Sequence, residues 1–221
     1  MRRTFVLVAA ATLIASVAAP AVASDRHQLD GPSPAMWLSD PEGVDGVNGI
    51  EQFDPVAGSS GSAVVANDGA LIKVRATGLE AFHTYTMWVV YFNDHTLCID
   101  GCNGPDLAIG GGVLYGAGRI AGPNGAVTFS ANLRTGEGAE YVGETPPPPF
   151  AFAPYEAGEN NEFHVVVRSH GPLTPGEVGE QLSTYGGGCD VEVGPAPAEV
   201  GDFPVPLAPG ECGDVQLYVF S

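Results

Sequence analysis

The sequence predicts an all-β protein, an immunoglobulin-like antiparallel β-sandwich of about seven to nine short strands with long loops and two disulfides. Three observations support this prediction. Short runs of β-branched and aromatic residues recur between Gly, Pro, Asn and Asp turn signals. No segment shows the apolar periodicity of a long amphipathic helix. One run, residues 84–93, is apolar on both of its alternating faces, as expected of a strand that is covered on both sides. A closed barrel is the alternative architecture.

The start of the chain matches a secretory signal peptide over residues 1–23. Arg2 and Arg3 come first, an apolar run extends over residues 5–19, and the small residues at 21–23 form an A-x-A cleavage pattern. The apolar run is shorter than the roughly 20 residues that a membrane-spanning helix needs, which disfavours a retained anchor. We therefore expect a secreted protein, extracellular or periplasmic, with no membrane span after the signal peptide is cleaved.

The exported part of the chain is strongly acidic. Cleavage removes Arg2 and Arg3 and leaves six basic residues against 26 acidic ones, a formal charge of −20. Lys73 is the sole lysine. So negative a protein disfavours nucleic acid and anionic lipid as partners, because both carry dense negative charge.

Four cysteines follow the signal peptide: Cys98, Cys102, Cys189 and Cys212. An even number of cysteines in an exported chain predicts disulfides, and four cysteines allow three pairings. The pairs that are closest in sequence, Cys98–Cys102 and Cys189–Cys212, would each close one loop, and we expect these two. A four-cysteine zinc site is the alternative, but the C-x3-C and C-x22-C spacings fit zinc ribbons poorly.

The exported chain divides into a lead-in and one domain. Residues 24–56 are rich in Asp, Gly and Pro with few apolar anchors, which predicts an extended or loosely packed lead-in that could contribute an edge strand. Residues 57–221 are predicted to form a single β-sandwich domain, since no polar linker divides them.

The first predicted hairpin precedes the central strand. Residues 62–66 and 70–77 flank Asn67-Asp68-Gly69, and an Asp-Gly step between two strand patterns is a strong hairpin signal. In the second of these strands, Lys73 and Arg75 would face water, while Ile72, Val74 and Ala76 would face the core.

A second hairpin is predicted around Pro123-Asn124-Gly125. Residues 112–121 and 126–134 flank this turn, and the second of these segments alternates apolar and polar residues without interruption. We therefore expect residues 126–134 to form a strand with one buried face.

The rest of the chain alternates between breakers and strands. The four prolines at 146–149 cannot lie inside a sheet and predict a polyproline loop. Strands are expected at 163–169 and 214–220 and a short helical turn at 175–184. Residues 195–209 form a proline-rich excursion that the second disulfide would close.

Several short motifs lie within these elements. They are Tyr85-Thr86-Met87-Trp88, Phe92-Asn93, His164-Val165-Val166-Val167-Arg168-Ser169-His170-Gly171-Pro172 and Gly186-Gly187-Gly188-Cys189. With these motifs the chain resembles a group of uncharacterised exported bacterial β-sandwich proteins over roughly residues 60–221. The resemblance implies export and a β-sandwich but brings no established activity. A weaker similarity, through Asn124-Gly125 and Pro175-Gly176-Glu177, is to CHRD domains, which are secreted β-sandwich modules.

The histidines fall at the ends of two predicted strands. His164 and His170 share a face of one strand but are about 20 Å apart, too far to bind one ion. If this strand pairs antiparallel with the central strand, His164 lies near His95 and His170 lies near His83.

The exit of the central strand is therefore a candidate metal site, which we call the rim. Its residues are Asp94, His95, Asp100, Asp106 and His164. Carboxylates in a Gly-rich loop suit calcium, and the two histidines would suit zinc or copper. The spacing matches no EF-hand loop. The alternative is a polar loop that the Cys98–Cys102 disulfide braces.

The leading functional hypothesis is a non-catalytic secreted β-sandwich module with a binding or structural role at the cell surface or outside. The sequence has no G-x-S-x-G elbow, so no catalytic residue is assigned, and no cofactor is expected apart from the candidate calcium, zinc or copper ion. The alternative is a metal-binding protein or metal-dependent secreted enzyme that uses Asp94, His95 and His164. A carbohydrate-binding module would need a row of exposed aromatic residues, for which the candidates are Tyr115, Tyr141, Tyr155 and Tyr185.

Overall fold

The computed structural model describes residues 26–39, 51–99, 101–138, 152–192 and 207–221, without the side chains of 33–39, 51–54 and 191–192. The protein is mostly β, and two antiparallel sheets pack against each other. The predicted fold class is confirmed, and so are both disulfides, Cys98–Cys102 and Cys189–Cys212.

The described residues form eleven strands and three short helical segments. The strands are β1 (Arg26–Gln28), β2 (Ser33–Ser39), β3 (Glu51–Pro55), β4 (Ser60–Ala66), β5 (Gly69–Ala76), β6 (His83–Phe92), β7 (Gly111–Ile120), β8 (Val127–Arg134), β9 (Glu162–Pro172), β10 (Val191–Glu192) and β11 (Glu211–Phe220). The helical segments are the α-helix α1 (Val178–Gln181) and 3₁₀ turns at His95–Leu97 and Gly104–Ile109. One sheet has the strand order β1-β4-β5-β8, and the other has the order β3-β2-β11-β9-β6-β7 with the short β10 beside β11.

The central strand is β6, which lies between β9 and β7 and pairs antiparallel with both. Its inward residues, Tyr85, Met87, Val89 and Tyr91, pack in the core between the two sheets. On its outward face Trp88 is 2% exposed, so this face is covered as well. The expectation of a strand that is apolar and buried on both sides is confirmed, and so is its antiparallel pairing with the strand of His164 and His170.

The first hairpin is confirmed and joins β4 to β5. Ala66 pairs directly with Gly69, which leaves Asn67 and Asp68 as a two-residue connection. The predicted alternation also holds in β8, whose residues are buried and exposed in strict turn. The four-stranded sheet therefore has one apolar face toward the core and one polar face toward solvent.

The second predicted hairpin is wrong in its pairing, although both of its strands exist. β7 pairs with β6 in one sheet and β8 pairs with β5 in the other, so the turn between them crosses from sheet to sheet. The turn is tight, with Gly125 N–H donating to the Gly122 carbonyl oxygen. The Gly125 carbonyl oxygen also accepts a hydrogen bond from the Leu79 N–H, which holds the turn at the end of the sandwich. The turn that was expected to join two paired strands of a hairpin therefore connects two strands that belong to different sheets.

The lead-in is part of the sandwich. β1 pairs with β4 at the edge of the four-stranded sheet. β2 pairs with β11 in the other sheet, and β3 pairs with β2 at that sheet's edge. The sequence suggested one edge strand here, whereas the segment supplies three strands to two sheets. Because these strands gain their stability from pairing, the weak local pattern of residues 24–56 did not reveal them.

Residues 173–192, which follow β9 and which we call the covering segment, lie over part of the outward face of the seven-stranded sheet. Trp88 contacts Tyr115 and Tyr185 edge-on, with ring centroids 5.4 Å apart in both pairs. The Arg168 guanidinium lies 3.8 Å from the centre of the Tyr185 ring and 3.1 Å from an Asp214 oxygen. The short helix α1 confirms the expected helical turn. The proline run at 146–149 and most of the proline-rich excursion at 195–209 lie outside the described residues.

Within the described ranges, no helix has the length and apolar character needed to cross a membrane.

We expect Gly125→Ala to lower the free energy of unfolding by more than about 1 kcal/mol. The Gly125 backbone has φ +62, and a Cβ at this position would overlap the Leu79 carbonyl oxygen. Gly104→Ala is the matched control, because a Cβ there meets no atom within 4 Å. Urea unfolding of the two variants measures the difference, and equal stability would contradict this account of the turn.

Candidate functional site

The rim begins where β6 ends. Asp94 is the N-cap of the 3₁₀ turn His95–Leu97, and its carboxylate accepts hydrogen bonds from the Thr96 N–H (3.1 Å) and the Thr96 hydroxyl (2.6 Å). The Thr96 hydroxyl is the main cause of a lowered pKa for the Asp94 carboxyl. This carboxylate is therefore already used in shaping the turn.

His95 is fixed to the loop that precedes β9. Its backbone N–H donates to the Asn160 carbonyl oxygen at 2.9 Å, and its Nδ1 lies at the same distance from that oxygen. A carbonyl oxygen only accepts, so Nδ1 carries the proton and Nε2 is the nitrogen that remains for a ligand.

The other rim residues have local partners of the same kind. Asp106 caps the 3₁₀ turn Gly104–Ile109, where its carboxylate accepts the Asn103 N–H at 2.9 Å. His164 Nε2 lies 2.7 Å from a Glu162 oxygen, and the ring packs edge-on against Phe92. Asp100 lies outside the described residues.

No three of the described rim residues have their ligating atoms close enough together to hold one metal ion. In the described part of the chain, one group of three or more His, Cys, Asp or Glu side chains has its ligating atoms within 4.8 Å of one another, and this group is His170, Cys189 and Cys212. Asp94, His95, Asp106 and His164 are not in it. Since Asp100 is not described, a metal at the rim stays a prediction.

A second candidate site is the solvent face of the four-stranded sheet, which we call the cationic face. It carries Arg26, Lys73, Arg75 and Arg134, which are four of the six basic residues that follow residue 23. All four side chains are exposed. The four strands contain no Asp or Glu, so every charge that they present is positive.

Strand register fixes the positions of these cations. Arg26, Ala66, Gly69 and Arg134 form one row across the four strands. Because neighbouring strands are about 4.8 Å apart, the two arginine backbones flank a small-residue floor about 14 Å wide. An open groove of about 650 Å³ lies at this end of the face.

The remaining cations continue along β5. Lys73 lies between Ser62 and Ser130 on the neighbouring strands, and Arg75 is two residues further on, opposite Thr128. From the first row to Arg75 the cations span about 20 Å, at roughly 3.4 Å per residue. The residues between the cations include Ser, Thr and Asn side chains and the exposed Leu71, so the face gains hydrogen-bonding groups without gaining negative charge.

Two carboxylates border the cationic face at its hairpin end. Asp68 lies in the turn between β4 and β5, and Glu137 follows β8 and accepts the Arg134 backbone N–H at 2.8 Å. The ion pairs that the described residues form, His164 with Glu162 and Arg168 with Asp214, include none of the four cations of the face. One nitrogen of Arg75 donates to the Gly58 carbonyl oxygen at 3.1 Å, which orients that guanidinium.

The structure gives packing roles to three of the four aromatic residues that were candidates for a carbohydrate platform. Tyr155 is fully buried in the core, Tyr115 on β7 contacts Trp88, and Tyr185 of the covering segment contacts Trp88 as well. Tyr141 lies outside the described residues. The strands of the cationic face carry one aromatic residue, Phe129, which points into the core.

Sequence reasoning found the rim but not the cationic face. It placed Lys73 and Arg75 toward water, and the available signal was the absence of acids from residues 60–66, 69–76 and 127–134 in a chain with 26 of them. The meeting of His170 with Cys189 and Cys212 gave no local signal, because these residues are 19 and 42 positions apart in sequence.

Comparison with known proteins finds no matching family model, no matching curated protein and no matching solved structure.

The rim hypothesis predicts about one bound metal ion per chain and a melting temperature that falls in chelator. Both effects would disappear in the double variant Asp94→Asn/His95→Gln, because it removes a carboxylate oxygen and an imidazole from the candidate ligands. Elemental analysis of protein purified from its export route is the decisive measurement. No stoichiometric metal, together with unchanged melting in chelator, would reject the rim as a metal site.

Proposed function

We propose that the protein is a non-catalytic secreted β-sandwich module that binds an anionic polysaccharide, at the cell surface or outside, through its cationic face. The observation that carries this proposal is the segregation of charge. A chain with a formal charge of −20 after signal cleavage places four of its six basic residues on one exposed sheet face whose strands have no acids. Solubility depends on a net charge away from zero and does not require the basic residues to be grouped on one face.

The positions of the cations favour a polymer over a small anion. Arg26 and Arg134 are about 14 Å apart across the sheet, and Lys73 and Arg75 lie further along it, so no single carboxylate can contact all four. A chain of uronate or sulfate groups can contact them in turn. Arginine is suited to this role because its planar guanidinium binds a carboxylate or sulfate through two parallel hydrogen bonds.

The rest of the face favours a sugar over a nucleic acid. Proteins that bind single-stranded nucleic acids stack the bases on exposed aromatic side chains. The β-strands of the cationic face present no aromatic side chain to solvent. It presents the hydroxyls of Ser62, Ser130 and Thr128 beside the cations, and these can pair with sugar hydroxyls. A neutral polysaccharide is also disfavoured. It has no negative charge to pair with the four cations, and the face offers no aromatic ring on which a sugar could pack.

The overall negative charge does not prevent this binding at physiological ionic strength. Charges further apart than the Debye length, about 8 Å in 0.15 M salt, are largely screened. A bound polymer therefore experiences the nearby arginines and Lys73 far more than the acids on other faces. Asp68 and Glu137 border the end of the face that carries Arg26 and Arg134, so the polymer is expected to contact these two arginines without extending past them over the hairpin tip.

The test is binding to polygalacturonate, with dextran as the neutral polymer, in about 0.15 M salt. We expect wild type to bind the uronate polymer and not dextran, and the double variant Lys73→Ser/Arg134→Ser to lose about tenfold or more in affinity. Arg119→Ser is the matched control, because Arg119 is an exposed arginine on β7 of the other sheet, and it should change affinity by less than about twofold.

Three results would overturn the proposal. They are no binding to polygalacturonate, an equal loss of affinity in Arg119→Ser, and equal binding of dextran. Two further outcomes would assign the face to another partner: self-association that the double variant abolishes would indicate a second copy of the chain, and tighter binding of a DNA oligonucleotide would indicate nucleic acid. Circular dichroism of both variants establishes that a lost affinity is not a lost fold.

A further inference from the structure

The outward face of the seven-stranded sheet holds a second set of functional groups, independent of the cationic face. The imidazole of His170 lies beside the Cys189–Cys212 disulfide, with Nδ1 3.6 Å from each of the two sulfurs. His170 and Cys212 are fully buried, and Cys189 is half-buried. Two sulfurs and one imidazole nitrogen are the protein ligands of a Cys2His zinc site.

The distances between these atoms match those of a metal site. A tetrahedral zinc ion with Zn–S bonds of about 2.3 Å and a Zn–N bond of about 2.0 Å holds nitrogen and sulfur ~3.5 Å apart. Both N–S distances here are 3.6 Å, so the imidazole already has the required position. The remaining change is separation of the two sulfurs to ~3.8 Å, which needs the bond between them to be broken.

The other nitrogen of His170 has a partner of the kind that supports a metal ligand. Nε2 lies 2.8 Å from the Thr86 hydroxyl, which also accepts the Trp88 indole N–H at 2.9 Å. Histidines that bind metal through one nitrogen usually donate the other N–H to a neighbouring acceptor, and that bond sets the ring orientation. Thr86 on β6 can be this acceptor.

The ring is in the neutral state that metal binding needs. Burial is the main cause that lowers the pKa of His170 to about 4. In the disulfide form Nδ1 lies 3.0 Å from the Gly187 carbonyl oxygen and therefore carries the proton. Metal binding at Nδ1 requires that this proton be exchanged for one on Nε2, directed at Thr86, and the Gly187 carbonyl then loses its donor.

We propose that reduction of the Cys189–Cys212 disulfide converts this cluster into a Cys2His site for Zn²⁺. A dithiol reductant supplies two electrons and two protons, breaks the S–S bond and becomes a disulfide itself, leaving two thiols on the protein. Zinc binding then releases the two thiol protons, while the imidazole exchanges its Nδ1 proton for one on Nε2 with no net change. Three protein ligands leave one coordination position open to water.

The site gives the covering segment a second way to remain attached. The disulfide links the residues that follow α1 to β11, and a zinc ion on the same two sulfurs would keep that link and add one to β9 through His170. The sheet face that carries Trp88 therefore stays covered under reducing as well as oxidising conditions. Cys189 is half-buried and Cys212 is fully buried, so Cys189 is the more exposed residue of the pair.

The test uses the variant Cys98→Ser/Cys102→Ser as background, so that Cys189 and Cys212 are the only thiols. We expect the anaerobically reduced protein to bind about one equivalent of Zn²⁺ per chain more than the oxidised protein, so that any metal at the rim is counted in both forms. Co²⁺ in place of zinc should give the absorption bands of tetrahedral thiolate coordination. In the same background, His170→Gln should weaken zinc binding by about tenfold or more and alter the cobalt spectrum.

Thr86→Val gives a second variant that keeps all three ligands but removes the acceptor of the Nε2 proton, which is also the acceptor of the Trp88 indole N–H, and it should weaken zinc binding by about 10- to 100-fold. The proposal is overturned if the reduced background protein takes up no zinc, or if both His170→Gln and Thr86→Val keep the affinity and the cobalt spectrum. If reduction unfolds the protein, circular dichroism decides: zinc must restore the β signal, and failure to do so also overturns it.

Discussion

The structure depends on one constraint: β6, the central strand of the seven-stranded sheet, is buried on both of its faces, so both faces must be covered. The inward face packs on the four-stranded sheet, with Tyr91 and Phe129 among the fully buried side chains. Part of the outward face is covered by residues 173–192, which the Cys189–Cys212 disulfide and the contacts of Arg168 with Tyr185 hold in place. Without this cover, Trp88 would be exposed to water, and burying a side chain of this size is one of the larger single gains in a core.

This constraint decides where a binding surface can lie. A sheet that is covered on both sides offers its edges and loops, whereas the four-stranded sheet keeps one polar face in water. That face carries four of the eight basic residues of an acidic chain, and the alternation of β5 and β8 puts Lys73, Arg75 and Arg134 on the solvent side. The proposed polysaccharide site thus uses the surface that packing leaves free, and it needs no change to the core.

The covered face provides chemistry of another kind. Arg168, His170 and Thr86 are polar residues beneath the covering segment, and each has a partner: Asp214 for Arg168, and a hydrogen bond between the other two. Buried polar groups with complete partners specify one arrangement of a loop more strictly than apolar contacts do. The proposed zinc site would reuse this arrangement, and because it lies on the opposite side of the sandwich from the cationic face, the two proposals can fail separately.

The sequence by itself determined the local elements and the local covalent links. Alternation fixed β8, the Asp68-Gly69 step fixed the first hairpin, and nearness in sequence was enough to pair the cysteines. Tertiary structure decided everything that depends on lateral neighbours. The turn at Gly125 fits a hairpin or a crossing equally well, so only packing assigned β7 and β8 to different sheets. The row from Arg26 to Arg134 and the meeting of His170 with two distant cysteines exist only through strand register and loop closure, and a local pattern contains neither of these.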